Sequence, residues 1–352
     1  MIRVLVVEDS PVVREFLVAA LGLDSDMEVV GVASNGVEAL EAVRRLRPDV
    51  ITMDVQMPEM DGLEATRRIM ESTPTPIVIV SGSSPPSEVA ATFATMEAGA
   101  LAIMARPRGV GHKDHDATVK QLLQTVKLMA EVKVVRRWAR SPKAAGTPRL
   151  PVAPPTRSPV RIVGLGASTG GPPVLRTILS GLPRDFPAPI LIVQHMSEGF
   201  IQGFAEWLAA VSGFSVTVAR QGELIQAGRA YLAPDNHHLT VTPRGALTLD
   251  GGKSENGLRP SVAVLFRSMA ASYGAGVAAG LLTGMGRDGA AELKRLHDAG
   301  AMTFAQDKES SVVHGMAGEA IRLAAARMVL APEKMAGLLS QMAGHRDESG
   351  YR

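Results

Sequence analysis

Ser168 lies in Gly166-Ala167-Ser168-Thr169-Gly170-Gly171, directly after the apolar run Val160 to Leu165 and directly before a helix-like stretch opened by Pro172 and Pro173. A serine on a sharp turn between a buried strand and a helix has its hydroxyl pushed out of the sheet. Flanking glycines tolerate the turn and leave room for a substrate. The helix start behind it offers free backbone N–H groups and the positive end of a dipole, which suit an oxyanion forming during acyl transfer. The same residues also read as a phosphate or dinucleotide loop, because Gly164, Gly166 and Gly170 lie between strand and helix. That reading calls for an acidic residue about 20 positions on, at the end of the next strand, to hold a ribose hydroxyl. Here the next strand, Ile190 to Gln194, ends in His195. A serine and a histidine at neighbouring strand ends favour a nucleophile and its base.

Such a pair needs a carboxylate to hold the imidazole in one tautomer. Asp288 meets this need in Leu281-Leu282-Thr283-Gly284-Met285-Gly286-Arg287-Asp288-Gly289-Ala290, where a buried strand runs into a glycine-flexed turn at a helix start. Helix capping alone also accounts for an aspartate there. It does not account for Gly284 and Gly286, which suggest a close backbone approach, with N–H groups near Met285 lining an oxyanion hole. Among the other histidines, His237 and His238 follow Pro234-Asp235-Asn236 and are expected on the surface or lining a substrate. His297 is expected to be solvated on a helix, and His314 is a loop candidate. The order Ser168, His195, Asp288 excludes a simple α/β-hydrolase, in which the acid precedes the histidine.

A second group of reactive residues sits near the amino terminus. Glu8 and Asp9 end a first apolar run, Asp54 ends a third, Ser81 a fourth, and Arg106 follows a fifth. Three converging carboxylates repel one another unless a cation neutralises them, and hard oxygen ligands suit magnesium. A carboxylate beside a metal, a hydroxyl and a cation is equipped to accept a phosphoryl group. Capping of helix starts explains any one of these acids but explains the set poorly.

Two α/β units position these groups. From Arg3 to about Ala130, apolar runs at Arg3 to Val7, Val29 to Val32, Val50 to Met53, Ile77 to Val80 and Leu101 to Met104 alternate with amphipathic segments. This pattern predicts a doubly wound, five-stranded parallel sheet whose ligands collect at the carboxyl ends of the strands. From Val160 onward, strands are expected at 160–165, 190–194, 214–218, 230–233, 276–282 and 302–305, with a hairpin at 239–241 and 246–249. Helices are expected at 172–182, 199–211, 261–273 and 289–299. The result is a second doubly wound α/β domain with an antiparallel insertion. The expected boundaries are 1–130 for the first domain, 131–159 for a linker and 160–345 for the second domain. The linker is read from Arg136, Arg137, Arg140, Lys143 and Arg149 interspersed with Pro142, Pro148, Pro151, Pro154, Pro155 and Pro159, a composition that cannot bury a core and reads as a tether.

Composition narrows the function. The chain has 352 residues, 46% hydrophobic and 20% charged, and a net charge of only +2, with no broad footprint for nucleic acid. No helix-turn-helix with a basic reading face follows the linker. No apolar run approaches the roughly 18 residues of a membrane span, and the amino terminus enters a strand without a signal-peptide pattern. A cytoplasmic protein that is not inserted in a membrane is expected. The absence of cysteine excludes disulfides, thiolate metal sites and a cysteine nucleophile.

Val4 to Ser10 and Asp49 to Gly62, with Asp54-Val55-Gln56-Met57-Pro58 inside the latter, resemble a two-component response-regulator receiver. The resemblance implies a flavodoxin-like fold in which Asp54 is the phosphoacceptor. Asp9, Asp54 and the carbonyl of Gln56 would hold Mg2+, with Glu8 assisting through water, and Ser81 would follow the phosphate. Receivers usually carry lysine where this chain has Arg106, and commonly an aromatic where it has Ile103. A planar guanidinium fork in place of a compact ammonium implies phosphorylation at an altered rate or with weaker coupling. Gly166 to Gly171, Gln194-His195-Met196, Tyr231-Leu232-Ala233-Pro234, Arg259-Pro260-Ser261-Val262 and Leu282 to Ala290 resemble the catalytic domain of the chemotaxis protein-glutamate methylesterases. With the receiver in front, the likeness covers nearly the whole chain apart from the linker and the tail after Leu330.

That resemblance implies attack by Ser168 on a glutamate methyl ester, proton transfer through His195, orientation by Asp288, and support of the oxyanion by Thr169 and Met285. It implies deamidation of selected glutamines at the same site, and no cofactor for hydrolysis. The implied substrate is the cytoplasmic helical region of methyl-accepting chemoreceptors, and the implied phosphodonor is a chemotaxis histidine kinase. Phosphorylation would release a tethered receiver lid. The alternative is a response regulator whose second domain is a serine esterase or binding module for a different target.

Overall fold

The computed structural model describes residues 1–82, 86–132, 134 and 159–343. The chain divides into two compact units, Met1–Gly146 and Thr147–Arg352. Most of the expected linker, at 133 and 135–158, and the expected domain end at 344–345 lie outside the described residues.

In the first unit, strands β1 (Ile2–Val7), β2 (Met27–Ala33), β3 (Val50–Met53), β4 (Ile77–Ser81) and β5 (Ala102–Ala105) alternate with helices α1 (Pro11–Leu21), α2 (Gly36–Leu46), α3 (Gly62–Ser72), α4 (Pro86–Ala98) and α5 (His115–Ala130). The sheet order is β2-β1-β3-β4-β5 and every pairing is parallel. Helices cover both faces, so β3 and β4 are buried along their whole length, as their unbroken apolar runs require. Asn35 and Asp61 start α2 and α3 by accepting hydrogen bonds from the amides of Glu38 and Glu64. Pairing of Val7 with Met53 leaves Glu8 and Asp54 one residue beyond adjacent strand ends. Gly62 has to be glycine, since a Cβ there would lie 2.1 Å from the carbonyl oxygen of Asp54.

The second unit contains β6 (Ile162–Ala167), α6 (Gly171–Ser180), β7 (Ile190–Gln194), α7 (Ile201–Ser212), β8 (Ser215–Val218), β9 (Arg229–Leu232), β10 (His238–Val241), β11 (Leu247–Asp250), α8 (Val262–Tyr273), β12 (Val277–Leu281), α9 (Ala290–Asp298), β13 (Met302–Gln306), α10 (Met316–Arg322), β14 (Met328–Leu330) and α11 (Pro332–Ala343). Seven strands form a parallel sheet in the order β14-β13-β12-β6-β7-β9-β8, and β10 and β11 form a separate antiparallel hairpin. Helices α6, α7 and α11 pack together, as do α8, α9 and α10. A core of Val193, Tyr231, Phe266, Met269, Leu281 and Leu293 lies between the sheet, the hairpin and the second helix group. The chain winds from β6 outward through β7, then returns to place β12 on the other side of β6. A crevice at the carboxyl ends of β7, β6 and β12 follows from this reversal, and such crevices collect ligands.

The strands and the hairpin form close to the expected bounds. α10, β14 and α11 go beyond the sequence reading. α11 is no peripheral tail, because Met335, Leu338 and Leu339 are buried and the helix packs on α6.

Candidate active site

Pairing continues one step past the ends of the central strands. The amide of Ser168 donates to Thr283 (3.0 Å), that of His195 to Ala167 (2.9 Å) and that of Leu282 to Gly166 (2.9 Å). Ser168 is thereby set between the ends of β7 and β12. A Cβ at Gly284 would stand 2.6 Å from the Cβ of Ser168, so only glycine lets the β12 loop close on the serine. The buried Gln194 braces the other side, donating from Nε2 to the carbonyls of both Ser168 and His195 at 2.9 Å. Gln306, at the end of β13, accepts from the amide of Thr283 and donates to Ser310. The Thr283 hydroxyl donates to the carbonyl of Thr169 and accepts from the amide of Val313.

His195 Nε2 is 3.0 Å from Asp288 Oδ2. Ionised Asp288 can only accept, so Nε2 carries the proton and Nδ1 retains the lone pair. The carboxylate of Asp288 also accepts from the Ser261 hydroxyl (2.8 Å), the Val262 amide (2.7 Å) and the Ala263 amide (3.2 Å). Burial alone would push the Asp288 carboxyl up. The hydrogen bond from His195 and the donors of Val262 and Ser261 outweigh it and hold the group below its ordinary 3.8. Asp288 is indeed a helix cap, but of α8, distant in sequence. The helix it precedes, α9, has Gly289 at its cap position and no side-chain capping bond.

The structure joins His195 to Asp288 and sets Ser168 at the adjoining strand end. Among the described residues, the Ser168 hydroxyl makes no hydrogen bond, and the amides of Thr169 and Met285 donate to no protein acceptor. Hydroxyl and amides near one crevice are therefore free for a ligand, and hydrogen bonds of this kind often close only when substrate arrives. His238 corrects an expectation. It is 3% exposed rather than superficial, with Nε2 3.1 Å from the Lys253 carbonyl and Nδ1 accepting from the Ser261 amide at 3.2 Å. His237 is exposed as expected, and His314 bonds to Ser311 instead of joining the His195–Asp288 pair.

At the carboxyl end of the first sheet, oxygens of Glu8, Asp9 and Asp54 lie within 4.8 Å of one another. Burial, then the charge of Asp54, pushes Glu8 up to about 7, and burial also raises Asp54 above its usual range. Arg106 Nη2 lies 3.0 Å from Glu8 Oε2 and 3.7 Å from Asp54 Oδ1, while its buried Nε has no partner among the described residues. The carbonyl of Ser81 accepts from the Arg106 amide at 2.8 Å, and the Ser81 side chain is buried. Gln56 is exposed in the loop after β3. An all-oxygen cluster in which Glu8 and Asp54 resist joint ionisation fits a hard divalent cation.

A family model described as CheB methylesterase matches residues 163–339, and one described as response regulator receiver domain matches residues 4–110. A protein-glutamate methylesterase/protein-glutamine glutaminase of Nitrosospira multiformis is 57% identical over 351 residues, covering 99% of both chains. A protein of that name from Geobacter metallireducens is 53% identical over 97% of this chain and 99% of its own. The chain belongs to the CheB methylesterase family. The crystal structure of the Thermotoga maritima CheB methylesterase catalytic domain, 37% identical, superposes with a TM-score of 0.50 over 52% of this chain and 98% of that one. The family match runs past Leu330 into α11, further along the chain than the motifs that carry the resemblance.

Within this family fold, sequence reasoning overlooked Gln194, Gln306, Ser261 and His238 as supports of the crevice. The first two carried a signal, each being a polar residue closing an apolar strand. Ser261 and His238 lay inside segments already singled out, but their partners are 27 and 23 residues away in sequence.

Proposed function

We propose that this chain is a phosphorylation-regulated serine hydrolase that cleaves glutamate methyl esters on chemoreceptors and deamidates selected glutamines, leaving glutamate in both cases. The observation that carries the chemistry is the 3.0 Å contact of His195 with Asp288 beside the strand end that bears Ser168. His195 Nδ1 accepts the proton of Ser168 as the hydroxyl attacks the ester carbonyl. The amides of Thr169 and Met285 receive the oxyanion. The imidazolium, held by Asp288, returns the proton to departing methanol. His195 then deprotonates the water that attacks the acyl-enzyme, and Ser168 is regenerated. An amide substrate follows the same course and releases ammonia.

In the receiver, residues 1–130, Asp54 accepts a phosphoryl group from a chemotaxis histidine kinase. Glu8, Asp9, Asp54 and the Gln56 carbonyl would hold Mg2+, which neutralises charge on the transferring phosphoryl group. Ser81 and Arg106 respond to the new phosphate, and the segment 131–159 tethers the receiver to the methylesterase domain, residues 160–345. The cysteine-free sequence accords with a reducing, cytoplasmic setting. No helix among the described residues is long and apolar enough to cross a membrane. Similarity along the whole chain to proteins of one name disfavours a binding module or an esterase for an unrelated target.

The test is methanol release by the full chain from membranes carrying methylated receptors, compared with release from simple glutamate esters and with and without a small phosphodonor. Receptor preference and stimulation by the phosphodonor are expected. Equal turnover of simple esters, indifferent to the phosphodonor, would contradict the proposal.

A further inference from the structure

Ser261 occupies the N-cap position of α8 with extended backbone (φ −124°, ψ 135°), yet its side chain makes no capping bond. A serine there ordinarily turns its oxygen to the amides of the first helical turn as an acceptor. Here Asp288, from the loop after β12, takes those amides, and the Ser261 hydroxyl is used as a donor to Asp288 Oδ1 at 2.8 Å. Serine is not needed at this position to start the helix. What it supplies is a proton donor for the carboxylate that holds His195. Ser261 is completely buried, and its own amide is fixed by the equally enclosed His238 on the hairpin strand β10. His238 Nδ1 accepts that bond and Nε2 donates to the Lys253 carbonyl, so the ring is neutral with both nitrogens engaged.

We propose that Ser261 is a positioning residue of the hydrolytic site. With His238 bracing it, the Ser261 hydroxyl fixes the rotation of the Asp288 carboxylate and so the aim of His195. This inference rests on the triad reading given above. Oδ2 is shared between the Val262 amide and His195, whereas Oδ1 has only Ser261 at short range and the Ala263 amide at 3.2 Å. Without the hydroxyl, the carboxylate is held mainly on the side that must also serve His195, and it can turn away. Loss of a hydrogen bond to a charged group typically costs about ten- to a hundredfold in the equilibrium it supports. The loss should fall on kcat, because Ser261 is sealed from any substrate.

The experiment uses the full-length chain with Ser261→Ala, Ser261→Cys and Ser261→Thr, and Ser168→Ala as reference, on methylated receptor membranes. Thermal unfolding is followed in parallel. Ser261→Ala should lower kcat about ten- to a hundredfold with KM changed less than about twofold, and Ser261→Thr, which keeps the donor, should restore most of the rate. Should the alanine variant fail to fold, Ser261→Cys, similar in size but a weak donor, should show the same kcat-selective loss. Normal kcat in a folded alanine or cysteine variant, or a threonine variant as slow as alanine, overturns the inference while loss of activity in Ser168→Ala leaves the triad reading standing. Full activity in Ser168→Ala would instead overturn both together.

Discussion

Asp288 and Glu8 are both buried carboxylates in loops that follow parallel strands, yet their proton affinities are displaced in opposite directions. Asp288 is held below 3.8 because His195, Ser261 and the first amides of α8 surround it with donors. Glu8 is raised to about 7 because burial and the charge of Asp54 outweigh Arg106 and the Ser10 amide. One crevice carries its own counter-charge in fixed backbone and hydroxyl groups. The other leaves its acids short of positive charge, a shortage that a metal ion or a protonation change can fill. A buried acid made permanent by its donors suits repeated turnover. A buried acid that is incompletely neutralised suits a switch, whose state depends on what arrives.

The largest effect that tests this contrast should come from Asp288→Asn. The amide cannot hold the Nε2–H tautomer of His195, and kcat should fall by about 10⁴ in a methanol-release assay, by the magnitude known for such a change in serine hydrolases. A fall of less than about tenfold would remove the carboxylate from the chemistry. In the receiver, Asp54→Asn should abolish incorporation of phosphate from a small phosphodonor, read by mass spectrometry. Persistent incorporation at another residue would displace Asp54 as the acceptor.

Stability should depend on pH with opposite signs in the two units, measured by calorimetry in EDTA. The depressed value of Asp288 contributes stability that is present above 3.8, its unfolded value, and lost as pH falls through the folded value. The raised value of Glu8 contributes stability present below 4.5 and lost as pH climbs through about 7. The receiver transition should therefore drop between those limits and recover on adding Mg2+, most at the upper end. The smallest effect is expected from Arg106→Lys. Its ammonium cannot reproduce the guanidinium contacts to Glu8 and Asp54, so Mg2+ affinity should rise about two- to tenfold by titration calorimetry. Unchanged affinity would show that Arg106 does not compete for the acids.

Unbroken apolar runs made the central strands legible in the sequence, and the residues just past each run located both crevices. Periodicity works here because a parallel sheet covered on both faces has no polar face to confuse the pattern. It failed at β14, whose three residues are too short for any pattern, and this hid the onset of α11. The turn signal at Pro234-Asp235-Asn236 was sound, but burial of His238 depends on the hairpin folding back over α8, a long-range event. Asp288 shows the same limit. Its place before α9 was visible, whereas its bonds to α8 arise from packing between segments 25 to 27 residues apart.

The central claim concerns the hydroxyl of Ser168, and it is tested most directly by methanol release from methylated receptors with the full-length Ser168→Ala variant. Release should fall at least about a thousandfold with the thermal transition of the second unit unchanged. A folded variant that still releases methanol at the original rate would contradict the account.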